Sequence, residues 1–325
     1  MPHTKECAVN LRLRLLPVVI LLLCAAAALA QTAPAQAAKS APRALIIVAH
    51  PDDESCFAAT VYEITHNLGG TVDQLVITNG EGGYRYSLLA ESYYGLPLTD
   101  EETGRKMLPE IRKRELFEAG RILGITNHFF LDQRDVRYTQ DIDEVLNQHW
   151  QQGVVLPELI RRLEAGNYGF VFTLFPTPDT HGGHKAATLT ALQAATQMKG
   201  AKPVVFGCQW GMKDGSRQPS WEGYKSEAHP FRSLPEVYTT DRTLKFGFRD
   251  AITYQTIVNW EIAAHKSQGQ MQNAYNKADM EEFVVLDDGA ADESARAAEL
   301  FKQLHETAPT PRRLPANVPA ANLLK

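Results

Sequence analysis

The chain has 325 residues, of which 44% are hydrophobic and 22% are charged, so it has the length and apolar content for one large globular domain or two modest ones. Its formal net charge is -5 at pH 7, without a basic surplus. A nucleic-acid partner is therefore not expected, because nucleic-acid-binding domains carry a basic patch or stripe.

The N-terminal 30 residues have the pattern of a secretory signal peptide. Lys5, Arg12 and Arg14 form a positive leader, an apolar run follows, and residues 28–30 read Ala-Leu-Ala, a small-x-small cleavage site. The apolar run is short for a membrane span of about 20 residues, which leaves an uncleaved anchor as the alternative. We expect an exported protein, periplasmic or extracellular, with no stable membrane span after cleavage.

The remaining chain is predicted to contain one folded domain. Residues 31–42 are rich in Ala and Pro and are expected to be a disordered lead-in. A single α/β domain is expected over residues 43–306, and residues 307–325 are predicted to be a mobile tail.

Two of the four cysteines, Cys56 and Cys208, lie beyond the predicted signal peptide. Export places them in an oxidising compartment, where they could pair. Free Cys is also one of the most often buried residue types and behaves as a small hydrophobic side chain. The second interpretation is favoured, and the fold is not a disulfide scaffold in either case.

Apolar runs and helical patterns alternate along the chain. The runs predicted to be strands are residues 44–48, 71–78, 127–131, 168–174 and 203–207. The predicted helices are residues 57–64, 109–123, 144–163, 185–198 and 259–276, the third broken near Gly153 and Pro157. This alternation predicts an α/β fold, a Rossmann-like mostly parallel sheet with helices on both faces.

Two stretches lack a clear period. Residues 86–103 are aromatic and polar, and they are predicted to form a long loop near the site, because long loops in compact domains are usually functional or disordered. Residues 209–250 are expected to be loops and a short hairpin that cover one end of the sheet.

His50, Asp52 and Asp53 follow the first predicted strand directly. In open α/β sheets, ligands bind at the carboxyl ends of the strands, so these side chains are candidates for an active site. An alternative for each Asp alone is helix capping, since Asp is a favoured N-cap residue and acidic groups interact well with the start of a helix.

His181 and His184 follow the fourth predicted strand, at the same edge of the sheet. A catalytic zinc takes three protein ligands and keeps one position open for water, and His50, Asp53 and His184 would supply that set. Asp52 remains as a general base beside the metal. His181, as an imidazolium, could stabilise a developing oxyanion and protonate a leaving amine.

The motif His50-Pro51-Asp52-Asp53-Glu54 after a buried strand, with a later His-x-x-His, resembles the PIG-L/LmbE family of zinc-dependent N-deacetylases. The resemblance is clear over residues 43–200. Members of this family act on N-acetylglucosaminyl groups in glycolipid anchors and in thiol-cofactor precursors. The resemblance implies the same roles for the five residues as the chemistry does: three zinc ligands, Asp52 as base, and His181 as stabiliser of the tetrahedral intermediate.

Three further residues are candidate substrate contacts. Glu81 lies in a loop that resembles the family's loop after the second strand, and Asp135 falls where members often carry an acidic residue near the sugar hydroxyls. Arg85 suits either an anionic substrate group or a neighbouring carboxylate. Nearby tyrosines could stack on a sugar ring or could be ordinary packed aromatic residues.

One departure from the family concerns residue 183. Members often have Asp directly before the last histidine ligand, where this chain has Gly183. That carboxylate usually orients the neighbouring histidine. Its loss weakens the case for protonation of His181, unless Asp179 takes over.

The sequence therefore predicts a secreted zinc hydrolase that removes an N-acyl group from an amino sugar, with a small molecule or glycan as substrate. Alternatives are a zinc amidase on a non-sugar or conjugate amide, and a glycan-binding protein that keeps the metal site without turnover. A dinucleotide-dependent oxidoreductase is disfavoured because the glycine fingerprint is missing. Zinc follows from the ligand types, although iron, cobalt or manganese suit the same set.

Overall fold

The computed structural model describes residues 41–269 and 275–307. The predicted signal peptide, residues 31–40 of the predicted lead-in and residues 308–325 of the predicted tail lie outside the described residues. In the part of the chain that is described, no helix has the length and apolar character needed to cross a membrane.

A seven-stranded sheet organises the described residues, with the strand order β3-β2-β1-β4-β5-β9-β6. Strands β1 to β5 pair in parallel, and β9 runs antiparallel to both of its neighbours. A separate two-stranded ribbon pairs β7 with β8. The strands are β1 (Arg43–Val48), β2 (Thr71–Thr78), β3 (His128–Gln133), β4 (Phe170–Leu174), β5 (Val204–Gly211), β6 (Ser233–Asp241), β7 (Lys245–Phe246), β8 (Ile252–Thr253) and β9 (Met280–Leu286).

Helices cover both faces of the sheet, which confirms the predicted α/β architecture. Alternate residues of β1 enter two separate cores, Ile46 on one face and Leu45 on the other. The helices are α1 (Ala58–Tyr62), α2 (Leu88–Tyr94), α3 (Glu101–Leu123), α4 (Gln152–Gly166), α5 (Gly182–Gln197), α6 (Tyr254–Ala264) and α7 (Glu293–Glu306). Helices α1, α6 and α7 pack into the core that contains Ile46, whereas α4 and α5 pack into the other.

The prediction of a long loop over residues 86–103 was wrong. This stretch contains α2, which is terminated by Gly95 directly after Tyr94, with a left-handed φ of 67°. It also contains the first turn of α3. Helix α3 begins at Glu101 because the Asp100 side chain accepts a hydrogen bond from the Thr103 amide at 2.9 Å. The helix then runs through Pro109, which the sequence interpretation placed at its start.

The region after β5 is also more ordered than predicted. Residues 233–241 form β6 at the edge of the main sheet, paired with β9, a strand that the sequence analysis did not identify. The predicted helix over residues 259–276 is shorter at its C-terminal end, because α6 ends at Ala264 and a 3-10 turn follows at Lys266–Gln268. The break predicted near Gly153 and Pro157 lies earlier, between a π-helical turn that ends at His149 and the start of α4.

Cys56 and Cys208 are both buried, and their sulfur atoms are 3.6 Å apart. Cys56 belongs to the 3-10 turn after β1, and Cys208 lies on β5. The structure has both as free thiols, in agreement with the favoured interpretation of the sequence.

The order of the strands creates a switch point beside β1. The chain places β2 on one side of β1 and β4 on the other, so the connections leave the carboxyl ends of β1 and β4 in opposite directions. In doubly wound sheets, such a crevice is the usual site of ligand binding. His50 follows β1 and His181 follows β4, so both candidate clusters reach this crevice.

A buried ion pair ties the turn after β1 to the C-terminal half of the chain. The Glu281 carboxylate on β9 accepts hydrogen bonds from the amides of Ala59 and Thr60, and it pairs with Arg242 at 2.9 Å. The Arg242 guanidinium donates in turn to the carbonyls of Ser55 and Cys56. Both side chains of the pair are fully buried, so the pair fixes the backbone directly after the candidate site.

Replacement of Arg242 by methionine (Arg242→Met) is expected to lower the free energy of unfolding by about 3–5 kcal/mol, because Glu281 would keep a buried charge without its partner. Urea denaturation of the mature protein measures this loss. The matched control is Arg232→Met, which removes an exposed arginine paired with Asp287 and should change stability little. Equal losses in the two variants would contradict a special role for the buried pair.

Candidate active site

The turn after β1 places three candidate residues at the crevice. His50 follows the strand, Asp52 has the sparsely populated backbone angles φ 159° and ψ -11°, and Asp53 begins a 3-10 helix. The Asp52 side chain makes no capping hydrogen bond to this helix, so capping does not explain it. Strained backbone of this kind is concentrated at functional sites, where the surrounding structure holds it in place.

The three predicted metal ligands lie together with their donor atoms facing one another. His184 Nε2 is 3.1 Å from Asp53 Oδ1 and 3.1 Å from His50 Nδ1, and His50 Nδ1 is 3.6 Å from Asp53 Oδ2. Ligand atoms of a tetrahedral zinc, each about 2.0–2.1 Å from the metal, are separated by about 3.3 Å. The donor set of two imidazoles and one carboxylate therefore fits a divalent metal in both chemistry and spacing.

The other ring nitrogens of the two histidines face polar partners. His184 Nδ1 lies 3.1 Å from the Thr180 hydroxyl, and His50 Nε2 lies 3.8 Å from Asp135 Oδ1. Metal-binding histidines usually direct their second ring nitrogen to such a partner, which fixes the orientation of the ring. Asp135, predicted as a substrate contact, thus also lies behind a candidate metal ligand.

His181 offers an alternative third ligand. Its ring nitrogens and those of His50 and His184 include three atoms that all lie within 4.8 Å of one another. We favour Asp53 over His181 because its carboxylate oxygens lie 3.6 Å from His50 and 3.1 Å from His184 and carry the negative charge that a divalent cation needs.

The charges of this cluster shift the pKa values of its members strongly. Burial opposes the charge of His50, but Asp53 and Asp135 outweigh it and raise the pKa of His50 to about 10. Burial likewise opposes the charge of Asp53, but His184 and His50 hold the pKa of this carboxyl well below its usual range. The histidines and the carboxylates of this cluster therefore stabilise one another's charged forms.

Asp52, the predicted general base, is held by an arginine that sequence reasoning missed. Arg112 on α3 is buried, and its guanidinium lies 2.8 Å from Asp52 Oδ2 while it donates to the carbonyls of Pro51 and Gly80. Burial raises the pKa of Asp52, although Arg112 acts in the opposite direction. Arg112 lies 60 residues along the chain from Asp52, so no local motif could indicate the pairing.

His181, the predicted acid, has a different environment from the one expected. Burial, together with the positive charges of His50 and His184, lowers the pKa of His181 to about 3. The neutral imidazole is therefore the favoured form at neutral pH. Asp179 does not take over as its partner, because the Asp179 carboxylate is exposed and hydrogen-bonds to Thr177.

A cavity of about 900 Å³ opens over these residues. Of the predicted substrate contacts, Arg85 and Asp135 line it, and Glu81 does not. Glu81 is buried beneath the loop after β2, and burial raises its pKa. Tyr86 and Tyr138 also line the cavity and are largely exposed.

A second polar cluster lies beneath the turn and was not predicted. His265 Nε2 is 2.8 Å from Glu54 Oε1 and 3.3 Å from Glu261 Oε1, and all three side chains are buried. Burial opposes the charge of His265, but Glu54 outweighs it and its pKa is raised well above the usual value. The cluster anchors Glu54, next to Asp53, to the end of α6. The spacing of Glu261 and His265, four residues apart on one helix, was the available sequence signal.

The fold and the site together define an α/β protein with a histidine–carboxylate centre at the carboxyl ends of its strands. Residues 45–195 match the family model PIG-L, described as GlcNAc-PI de-N-acetylase. This match spans a little under half of the chain and confirms the resemblance to that family seen in the sequence. No curated protein matches the chain.

Solved structures are similar in fold. The A40926 pseudoaglycone deacetylase Dbv21 aligns with 77% of this chain and 99% of its own, at 16% identity and a TM-score of 0.50. A deacetylase solved with teicoplanin aligns with 75% of this chain and 98% of its own, at 16% identity and a TM-score of 0.50. N,N'-diacetylchitobiose deacetylase from Pyrococcus horikoshii covers 73% of this chain and 75% of its own, at 21% identity and a TM-score of 0.44. At such identities the likeness to the two structures with a TM-score of 0.50 establishes the fold alone.

The mature protein is expected to bind one divalent metal ion, and Asp53→Ala and His184→Ala should each lose stoichiometric binding because each removes one of three ligands. His181→Ala is the matched control and should keep the metal. Metal content after dialysis, followed by titration against a chelator, measures the difference. Retention by Asp53→Ala with loss in His181→Ala would instead assign the site to the three histidines.

Proposed function

We propose that this protein is a zinc-dependent N-deacetylase that removes an acyl group from an amino sugar of the N-acetylglucosamine type. One observation carries the proposal: His50, Asp53 and His184 lie together, and beside them the Asp52 carboxylate is not one of the three candidate metal ligands. The PIG-L domain supports the choice of an N-acetyl amide as the bond that is cleaved. The cavity has room for a sugar with a further substituent.

A zinc ion held by His50, Asp53 and His184 would supply Lewis-acid polarisation of a carbonyl oxygen and would lower the pKa of a water molecule. The protein contributes the charges around it. As ligands, two neutral imidazoles and one carboxylate would cancel only one of the two charges of a divalent ion. The centre would therefore stay positive and would favour a substrate oxygen that gains negative charge during the reaction.

Asp52 is proposed to act as the general base. It takes a proton from the attacking water as the oxygen bonds to the amide carbon, and the carbonyl group becomes tetrahedral. Its burial raises its pKa, which makes the carboxylate a better proton acceptor than an exposed one. Arg112 fixes one of its oxygens at 2.8 Å and so leaves the other for the water.

His181 is proposed to stabilise the tetrahedral intermediate as a hydrogen-bond donor, in the form of the ring that carries a proton on Nε2. Its Nε2 atom is buried and has no hydrogen-bond partner, so it has a free site for a substrate oxygen. Because the neutral ring has no spare proton, Asp52 returns the proton that it took to the nitrogen as the C–N bond breaks. The products are the free amine and the carboxylate of the acyl group.

Asp135 and Arg85 are proposed to bind the rest of the substrate. Asp135 reaches the cavity next to His50, where it could accept hydrogen bonds from sugar hydroxyl groups. The exposed Arg85 guanidinium is bonded to the Tyr84 hydroxyl, which orients it at the rim. Glu81 lies in the same turn as Arg85 and accepts a hydrogen bond from the Asp135 backbone, so it joins the two segments that carry these residues.

Export to the periplasm or the extracellular space is proposed from the N-terminal leader alone. A substrate among envelope or extracellular glycans would follow from that location. N-terminal sequencing of the protein purified from its host tests this: a start at Gln31 supports export with cleavage, and a start at Met1 contradicts it.

Asp52→Asn is expected to lower kcat by about 10²- to 10⁴-fold, because the amide cannot accept the proton of the attacking water. The assay is amine release from N-acetylglucosamine and short chitooligomers by the zinc-loaded mature protein. Asp132→Asn is the control, since Asp132 is an exposed carboxylate paired with Lys113 on the surface.

Three results separate the candidate functions. Release by the parent and not by Asp52→Asn supports the deacetylase. Release only from non-sugar amides supports an amidase instead. Binding of zinc and glycans without any release by the parent overturns the enzymatic proposal in favour of a binding protein.

A further inference from the structure

The orientation of His181 is not set by a carboxylate. Asp179 is bonded elsewhere, and His181 Nε2 lacks a partner among the described residues. The backbone of Arg137 offers the ring one hydrogen-bond partner. A buried ring that must direct one nitrogen toward a substrate also depends on the groups that pack against its two faces.

The His181 ring is held between two other rings. Its centroid is 5.1 Å from that of His50 at an interplanar angle of 20°, and 5.1 Å from that of Tyr138 at 13°. Three rings therefore form one stack that begins at a candidate metal ligand and ends at the mouth of the cavity. Rotation of the His181 ring out of this stack would separate it from both neighbours.

Tyr138 is placed by its own loop rather than by burial. Its side chain is 64% exposed. Directly after Tyr138, the loop that follows β3 is bonded to the segment that carries His181. The Gly182 amide donates to the Thr139 carbonyl at 2.7 Å, and Gln140 Nε2 donates both to the Asp179 carbonyl at 2.9 Å and to the Tyr138 hydroxyl at 3.2 Å.

The glycine at position 183 is part of the same arrangement. A Cβ atom there would lie 3.2 Å from His181 Nδ1 and 3.4 Å from His50 Cε1. The first contact is tighter than usual, so the His181 ring would have to move by a few tenths of an ångström, whereas the second is at the limit of ordinary van der Waals contact. Glycine at position 183 therefore lets the His181 ring lie close to the chain that follows it.

We propose that Tyr138 is a positioning residue, which packs on the free face of the His181 ring and holds it parallel to that of His50. Its kinetic consequence rests on the proposed deacetylase function, whereas its effect on the ring does not. The competing role for an exposed tyrosine at the mouth of the cavity is direct stacking on the substrate sugar.

The two roles predict different kinetics. Loss of a positioning ring displaces His181 and lowers kcat by about 10- to 100-fold with little change in KM, because a small misplacement of a reacting group is costly. Loss of a sugar contact raises KM and leaves kcat nearly unchanged. Tyr138→Phe keeps the stack and should retain near-parent kcat, while Tyr138→Leu removes it.

The experiment compares the zinc-loaded mature parent, Tyr138→Phe and Tyr138→Leu, with Tyr86→Leu as the control. Tyr86 is another exposed tyrosine that lines the same cavity, and its ring does not stack on the histidines. Both kcat and KM are measured, together with the NMR resonances of the histidine rings without substrate. The His181 signals are assigned from their loss in His181→Ala.

The proposal expects Tyr138→Leu alone to shift the His181 ring resonances and to lower kcat, with restoration by Tyr138→Phe. Unchanged His181 resonances in Tyr138→Leu, or an effect on KM alone, would overturn it. If the parent shows no turnover on any acylated amino sugar, the proposed function fails, and the ring resonances alone then decide the role of Tyr138.

Discussion

The buried pair of Arg242 and Glu281 is the interaction on which the geometry of the site depends most. The turn after β1 leaves several backbone amides and carbonyls unpaired inside the protein, which would be costly. Glu281 accepts from two of the amides, and Arg242 donates to two of the carbonyls. The turn can therefore keep the strained residue Asp52, because Arg242 and Glu281 hold the backbone of residues 55–60 directly after it.

The centre itself combines groups from distant parts of the chain. Asp53 brings a carboxylate between two imidazoles, Arg112 reaches across from α3 to hold Asp52, and His265 supports Glu54 from below. Each of these contacts involves a buried charge with an opposite charge beside it. Such pairs are costly to break but not strongly stabilising as a whole, so the arrangement favours one defined geometry more than it favours overall stability.

Much of this could be predicted from local sequence. A buried strand followed by His50, Asp52 and Asp53 indicates a site at the carboxyl edge of a sheet, and the same logic applies to His181 and His184. The alternation of strands and helices up to β5 was sufficient for the fold class. These signals are short-range: they depend on residues within one turn or one strand of each other.

The rest depends on contacts that no local pattern contains. Helix α2 was missed because it exposes apolar side chains, Leu88, Leu89 and Tyr93, so its sequence shows no apolar stripe on the buried face. Strand β9 was missed beside a region rich in loops. Arg112 and Tyr138 acquire their positions from tertiary packing and from loop-to-loop hydrogen bonds. The neutral form of His181 follows from its burial among positive groups, which sequence spacing does not reveal.

Gly183 has a consequence for how this chain could change over evolutionary time. A Cβ atom at this position would press on the His181 ring at 3.2 Å, so any larger residue there requires the ring to shift. That shift would be passed to Tyr138, since its ring stacks on the other face of His181. A substitution at residue 183 is therefore best accommodated together with a change in the residues that pack on His181, and Tyr138 is the exposed and most easily changed of these.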